Sequence, residues 1–256
     1  MPSDAHCSSL SSSNFLSSSN LPAETVTSRL EATRQRLKQA LIAAGRAPEE
    51  ASLLAVSKTR PACEIREAYT AGQRAFGENY MQDALSKQPL LADLDIEWHF
   101  IGALQSNKTK DAATHFDWVH TVDRVKIARR LDAQRPSHSS PLQICLQVNI
   151  SRDPNKAGVL PEEAPDVVRE ILTLPRLVLR GLMTIPAKIE DESQRRAPFH
   201  ALRELQDQLR RQFPEAPWDT LSMGMTADMN DAIAEGATIV RIGTAIFGER
   251  DYSLKH

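Results

Sequence analysis

The 256-residue sequence is poor in cysteine, in aromatic residues and in net charge, and each shortage excludes a class of function. Its three cysteines, Cys7, Cys63 and Cys145, lie far apart and are odd in number, so neither a disulfide framework nor a metal-ligand pattern is expected. Aromatic residues make up 5% of the chain, too few for a platform on which bases stack. A formal net charge of -2 leaves no electrostatic footprint for nucleic acid or an anionic membrane surface. No apolar run approaches the roughly 18 residues that a membrane span requires. The opening MPSDAHCSSLSSSNFLSSSN lacks a basic flank and an apolar core, so it is no secretory signal, and the absence of arginine argues against a transit peptide. Its serine bias and lack of periodicity predict a disordered tail over 1–22. The expectation is a reduced, cytoplasmic protein.

What the chain does contain is an ordinary globular composition, 41% hydrophobic and 25% charged, arranged in a regular alternation. A helical segment from about Pro22 to Ala44 carries Val26, Leu30, Leu37 and Leu41 at helical spacing, with Gly45 at its end. Strand-like runs follow at 52–58, 74–79, 96–102, 118–122, 142–150, 177–185, 220–224 and 238–243. Helical segments at 62–72, 80–92, 106–114, 123–134, 161–173, 192–213 and 226–235 separate them. Such alternation predicts an α/β protein with a parallel sheet and helices outside. Eight strands in this length fit a single (β/α)8 TIM barrel over 23–256 with an extra N-terminal helix. A doubly wound open sheet is the alternative, disfavoured because no Gly-rich dinucleotide fingerprint follows the first strand.

In a barrel, chemistry belongs where strands end. Lys58 closes the first run, and period-two alternation puts it on the same face as Leu54 and Val56. A lysine neutralised by such surroundings is a nucleophile toward aldehydes; one lying past the strand end reaches water instead. Ser222, Gly224, Gly243 and Thr244 follow or close the last two strands, where backbone N–H groups and hydroxyls can hold a phosphate. With a phosphate there, Asp228 is expected to face outward, since a carboxylate pointing in would repel it. The alternative is that the glycines serve tight turns and Thr226 caps the next helix. Arg241 lies between apolar Val240 and Ile242, so alternation turns it into the barrel, either to pair with Glu97 or Glu78 or to donate to a ligand.

Together, the words Ala55-Val56-Ser57-Lys58-Thr59, Phe76-Gly77-Glu78-Asn79-Tyr80, Trp98-His99-Phe100-Ile101-Gly102, Leu104-Gln105-Ser106-Asn107-Lys108 and Arg180-Gly181-Leu182-Met183 carry a resemblance, joined by Leu221-Ser222-Met223-Gly224-Met225-Thr226 and the stretch from Val240 to Gly248. They resemble the pyridoxal-phosphate homeostasis proteins (the YggS/PROSC type), a branch of the alanine-racemase N-terminal barrel. The resemblance spans about residues 25–252, with Ala103 standing where proline is common. It implies a Schiff base between Lys58 and pyridoxal 5'-phosphate, phosphate contacts from Ser222, Gly243 and Thr244, and Arg241 at the pyridine nitrogen. It further implies that Asn79, His99, Met183 and Met223 belong to the cofactor pocket, with no catalytic residue assigned and no metal. The racemases complete their site with a tyrosine from a further C-terminal domain, which is not expected here because the chain ends at His256. The function so implied is reversible holding of the cofactor, for buffering or for delivery to acceptor apoenzymes, by a monomer. The alternatives are a weak amino-acid racemase with Tyr80 or His99 as second base, and a cofactor-free aldolase. Helix 192–213, with Arg195, Arg196, Arg203, Arg210 and Arg211, is either a docking surface or a solvated face.

Overall fold

Eight parallel strands close into one barrel in chain order in the computed structural model, which describes residues 24–249 apart from Lys188, Glu190 and the side chain of Glu192. The expected disordered stretch 1–22 lies outside the described residues. The strands are β1 (Ser52–Val56), β2 (Ala75–Glu78), β3 (Glu97–Phe100), β4 (Trp118–Val122), β5 (Leu142–Gln147), β6 (Leu177–Met183), β7 (Thr220–Ser222) and β8 (Ile239–Ile242). Closure is made by β8 against β1, where Leu54 stands opposite Arg241.

The helices are α1 (Val26–Ala43), α2 (Ala62–Thr70), α3 (Met81–Lys87), α4 (Thr109–His115), α5 (Val125–Gln134), α6 (Ala164–Ile171), α7 (Ala197–Gln212), α8 (Met229–Ala234) and α9 (Thr244–Phe247). In α1, Thr25 Oγ1 accepts from Ser28 N at 3.1 Å as the N-cap, and the stripe Val26, Leu30, Leu37 and Leu41 is buried. That stripe packs beside α8 and α9, so the extra helix covers the seam where the barrel closes. The main core lies between strands and helices, while Leu54, Val56, Ile101 and Ile239 form a separate cluster inside the barrel.

Strand order and count agree with expectation; the C-terminal ends do not. Seven of the eight strands stop short of the predicted end, β1 at Val56 rather than 58 and β5 at Gln147 rather than 150. Beyond β5 the change is one of partner: Val148 N still donates to Met183 O of β6 at 2.8 Å, but Asn149 N donates to Val159 O in a loop at 2.9 Å. The predicted helix 226–235 begins only at Met229, after a turn at Thr226–Asp228, and α9 is additional. Of the arginines in and just before α7, Arg196 and Arg203 meet Glu235, and Arg210 meets Asp207.

Candidate functional site

A cavity of about 480 Å³ opens at the C-terminal ends of the strands, and Lys58, Asn79, Arg241, Gly243 and Thr244 all line it. Val56, Ile101 and Ile185 give it apolar walls, and the loop Met225, Thr226 and Ala227 closes one side. Lys58 is half-buried in a turn beyond β1 rather than within the strand, yet it opens on the same side as Val56, as alternation requires.

That turn is held tightly. Thr59 takes the left-handed conformation at φ 64°, a costly position for a β-branched residue, and its N–H donates to Asp83 Oδ2 at 2.8 Å. Lys87 from α3 donates to Ser57 O at 3.0 Å, to Glu78 Oε1 at 2.7 Å and to Asp83 Oδ2 at 2.9 Å. Ser57 Oγ completes the cluster, donating to Glu78 Oε1 at 2.6 Å. The backbone on both sides of Lys58 is thereby fixed to one buried network. Sequence reasoning missed Asp83 and Lys87, because a lysine in a polar helix ordinarily belongs to a solvated face.

Asn79 brings an unsatisfied group: its Oδ1 is buried without a hydrogen-bond partner. Its backbone is held close to the loop after β3, where a Cβ on Gly102 would lie 1.9 Å from Asn79 O, so only glycine fits there. At the loop after β8, Ile246 and Phe247 N both donate to Gly243 O at 2.9 Å, which places the N–H groups of Thr244 and Ala245 ahead of the first intrahelical bond of α9. After β7, Met225 N donates to Asp228 Oδ1 at 2.6 Å, so Asp228 is tied to the backbone of its own loop.

Arg241 is 5% exposed and donates from Nη1 to Ser222 Oγ at 2.8 Å and from Nη2 to Thr184 O at 2.9 Å. Burial brings its guanidinium down to about 10, against the pull of Asp228. The two carboxylates considered as ion-pair partners are engaged elsewhere, Glu78 by Lys87 and Glu97 by His99.

Four expected pocket residues occupy other places. Ser222 is fully buried, and its Oγ faces His120 Nδ1 at 2.8 Å as well as Arg241, so it is not among the residues that line the cavity. Met183 packs inside the barrel with Trp118 and Cys145, and Met223 belongs to the outer core. His99 lies at the opposite mouth, stacked on Trp118 with ring centroids 5.3 Å apart, because the inward positions of β3 alternate and Ile101 takes the upper one. Thr226, Ala227, Ile101 and Ile185 line the cavity without having been singled out as pocket residues; counting two residues per layer from each strand end would have found Ile101. No group of three or more His, Cys, Asp or Glu able to hold a metal occurs among the described residues.

Residues 29–251 match the alanine racemase N-terminal domain family. A pyridoxal phosphate homeostasis protein of Pseudomonas aeruginosa is 52% identical over 228 residues, covering 89% of this chain and 97% of that protein. The protein of the same name from Escherichia coli is 49% identical over 232 residues, covering 88% of this chain and 97% of its own length. Among solved structures, PipY of Synechococcus elongatus, determined with PLP bound, superposes with a TM-score of 0.78 at 39% identity over 88% of this chain and 100% of that chain. An alanine racemase of Clostridium difficile shares the fold alone, at a TM-score of 0.67 and 13% identity over 87% of this chain and 57% of that one. With this barrel, this cavity and these relatives, the chain belongs to the pyridoxal phosphate homeostasis protein family.

Proposed function

We propose that this protein holds pyridoxal 5'-phosphate reversibly on Lys58 and so buffers the free cofactor or delivers it. The observation that carries the reading is the meeting of Lys58, Asn79, Arg241, Gly243 and Thr244 in one cavity at the functional end of the barrel. When bound, pyridoxal phosphate supplies an aldehyde carbon that condenses with a lysine amine and releases water.

The residues present fit that group. The unpartnered Oδ1 of Asn79 is an acceptor for a hydroxyl. The hydroxyls of Thr226 and Thr244, with the leading N–H groups of α9, suit an anion such as a phosphate. Arg241 offers a cation that keeps its proton, so a ring nitrogen facing it stays unprotonated and the ring is a weak electron sink. The network of Lys87, Glu78 and Asp83 holds the Lys58 turn in place. PipY, similar over 88% of this chain, was solved with PLP bound, which supports the same occupant here.

The geometry favours holding over racemisation. A racemase needs a second base facing Lys58. Tyr80 is 51% exposed, and His99 opens to the other mouth. The reading carries with it a monomer in the cytoplasm whose partners are apoenzymes that accept the cofactor. The test is an absorbance spectrum after incubation with pyridoxal phosphate, then borohydride reduction and peptide mapping. A visible band and a reduced adduct on Lys58, both lost in Lys58→Ala, are expected. Adduct on another lysine would sink the assignment, and robust turnover of a free amino acid would favour the racemase.

A further inference from the structure

Polar side chains from four strands form one unbroken file of hydrogen bonds between the two mouths of the barrel. Glu97 Oε1 lies 2.6 Å from His99 Nε2, His99 Nδ1 lies 2.9 Å from His120 Nε2, and His120 Nδ1 lies 2.8 Å from Ser222 Oγ. Ser222 Oγ accepts from Arg241 Nη1 at 2.8 Å. The file begins at solvent, since the Glu97 side chain is 51% exposed and lines, with His99, a cavity of about 310 Å³ at the N-terminal mouth. It ends at Arg241 in the cavity of Lys58. His99, His120 and Ser222 between them are buried.

We infer that Glu97, His99, His120 and Ser222 are positioning residues forming a relay, which fixes how Arg241 presents its charge to a cofactor ring. The inference rests on the cofactor reading of the Lys58 cavity. Its logic is hydrogen-bond parity. The hydrogen bond from His99 holds the Glu97 carboxyl below its ordinary range, so it is a carboxylate and can only accept. His99 Nε2 therefore carries a hydrogen, and a neutral His99 has a bare Nδ1. His120 must then donate from Nε2. Burial above all, together with the charge of Arg241, holds His120 well below the ordinary histidine value, so it is neutral and its Nδ1 is bare. Ser222 must donate to that nitrogen, which leaves its oxygen to accept from Arg241. Every donor points from Arg241 toward Glu97, and the carboxylate sets the direction of all of them.

The opposite order, with His99 donating to His120 and His120 to Ser222, would leave the Ser222 hydroxyl hydrogen without an acceptor and loosen its hold on Arg241. Around the start of the file the N-terminal mouth is lined by Glu97, Arg180, Asp219, Glu49 and Glu50.

Two measurements on the full chain decide it. In cofactor-free protein at neutral pH, nitrogen-resolved NMR is expected to find His99 and His120 both with hydrogen on Nε2; hydrogen on Nδ1 of His120 would overturn the relay. In protein loaded with pyridoxal phosphate, Glu97→Gln is expected to shift the visible band, because an amide can donate as well as accept and no longer sets the order of the file. The amide can still accept from His99, so a merely structural role predicts no shift. In a Ser222→Ala background the same substitution is expected to have no effect, since the link to Arg241 is cut. An unmoved band, or an equal shift in both backgrounds, overturns the relay. A wild type with no visible band would sink the cofactor reading instead, and the tautomers would still decide whether the file is ordered.

Discussion

The two mouths of the barrel are built from the same eight strands and use their polar groups in opposite ways. At the N-terminal mouth charges meet partners of the same chain: Arg180 pairs with Asp219 and stacks over Trp118, Glu97 meets His99, and Arg46 pairs with Glu50. At the C-terminal mouth Lys58 is half-buried beside an apolar wall, Asn79 Oδ1 has no partner, and Arg241 faces a cavity. Buried polar groups are almost always satisfied, so an orphan at one end of a barrel marks where a ligand completes the structure. The difference teaches where stability ends and binding begins.

The largest effect that tests this comparison is expected just behind the functional mouth. Lys87 is the cation of a network in which Glu78 is fully buried and Asp83 half-buried. Burial holds the Glu78 carboxyl above its ordinary range, against the attraction of Lys87 and the hydrogen bond from Ser57. Lys87→Met removes the cation and leaves a buried carboxyl, and breaking a buried pair costs about 3–5 kcal/mol. Urea unfolding measures it. The Ser57 carbonyl loses its donor as well, so cofactor affinity is expected to fall in the surviving folded protein. A loss below about 1 kcal/mol would place this network with the surface pairs of the other mouth.

A smaller effect with opposite character is expected at Asn79. Its Oδ1 makes no bond in the ligand-free chain, so Asn79→Ala removes an unsatisfied buried acceptor and leaves stability unchanged or slightly raised. Affinity for pyridoxal phosphate, followed by quenching of protein fluorescence, is expected to fall about tenfold, equivalent to about 1.4 kcal/mol. A variant that loses stability and keeps affinity would show that Asn79 belongs to the scaffold.

The same contrast explains how much of the molecule was legible in its sequence. Alternating runs were enough for the closed barrel, and period-two counting turned Lys58 and Arg241 inward from opposite sides of the closing seam. Three things escaped it. The end of β5 was overextended because Asn149 reads as strand although its N–H is held by Val159 O in a loop. Ser222 carries the same hydroxyl whether it faces a cavity or His120, and only the three-residue length of β7 and its register against Ile239 decide between them. His99 was legible as inward but not in depth: it sits two residues below Ile101 on one face, a layer nearer the other mouth. Which way a side chain points is local; which layer it occupies depends on where every neighbouring strand begins.

The smallest effect belongs to the N-terminal mouth and sharpens the comparison by its pH dependence. Burial alone would raise the Asp219 carboxyl, but donation from Arg180 and Thr220 overrides it and holds the group below the usual carboxylate range. A depressed carboxylate stabilises the fold above its unfolded pKa, and that contribution is lost as pH falls through the folded value. The Asp219 side chain is 45% exposed, so solvent screening keeps the pair to about 0.5 kcal/mol. Asp219→Asn is therefore expected to unfold at slightly lower urea near neutral pH, with the difference from the wild type shrinking as pH falls below the ordinary carboxylate range. Cofactor affinity is expected to change far less than in Asn79→Ala, because the pair lies at the mouth away from Lys58 and outside the file from Glu97 to Arg241. A change as large as that of Asn79→Ala would mean that the Arg180–Asp219 pair itself supports the cofactor cavity.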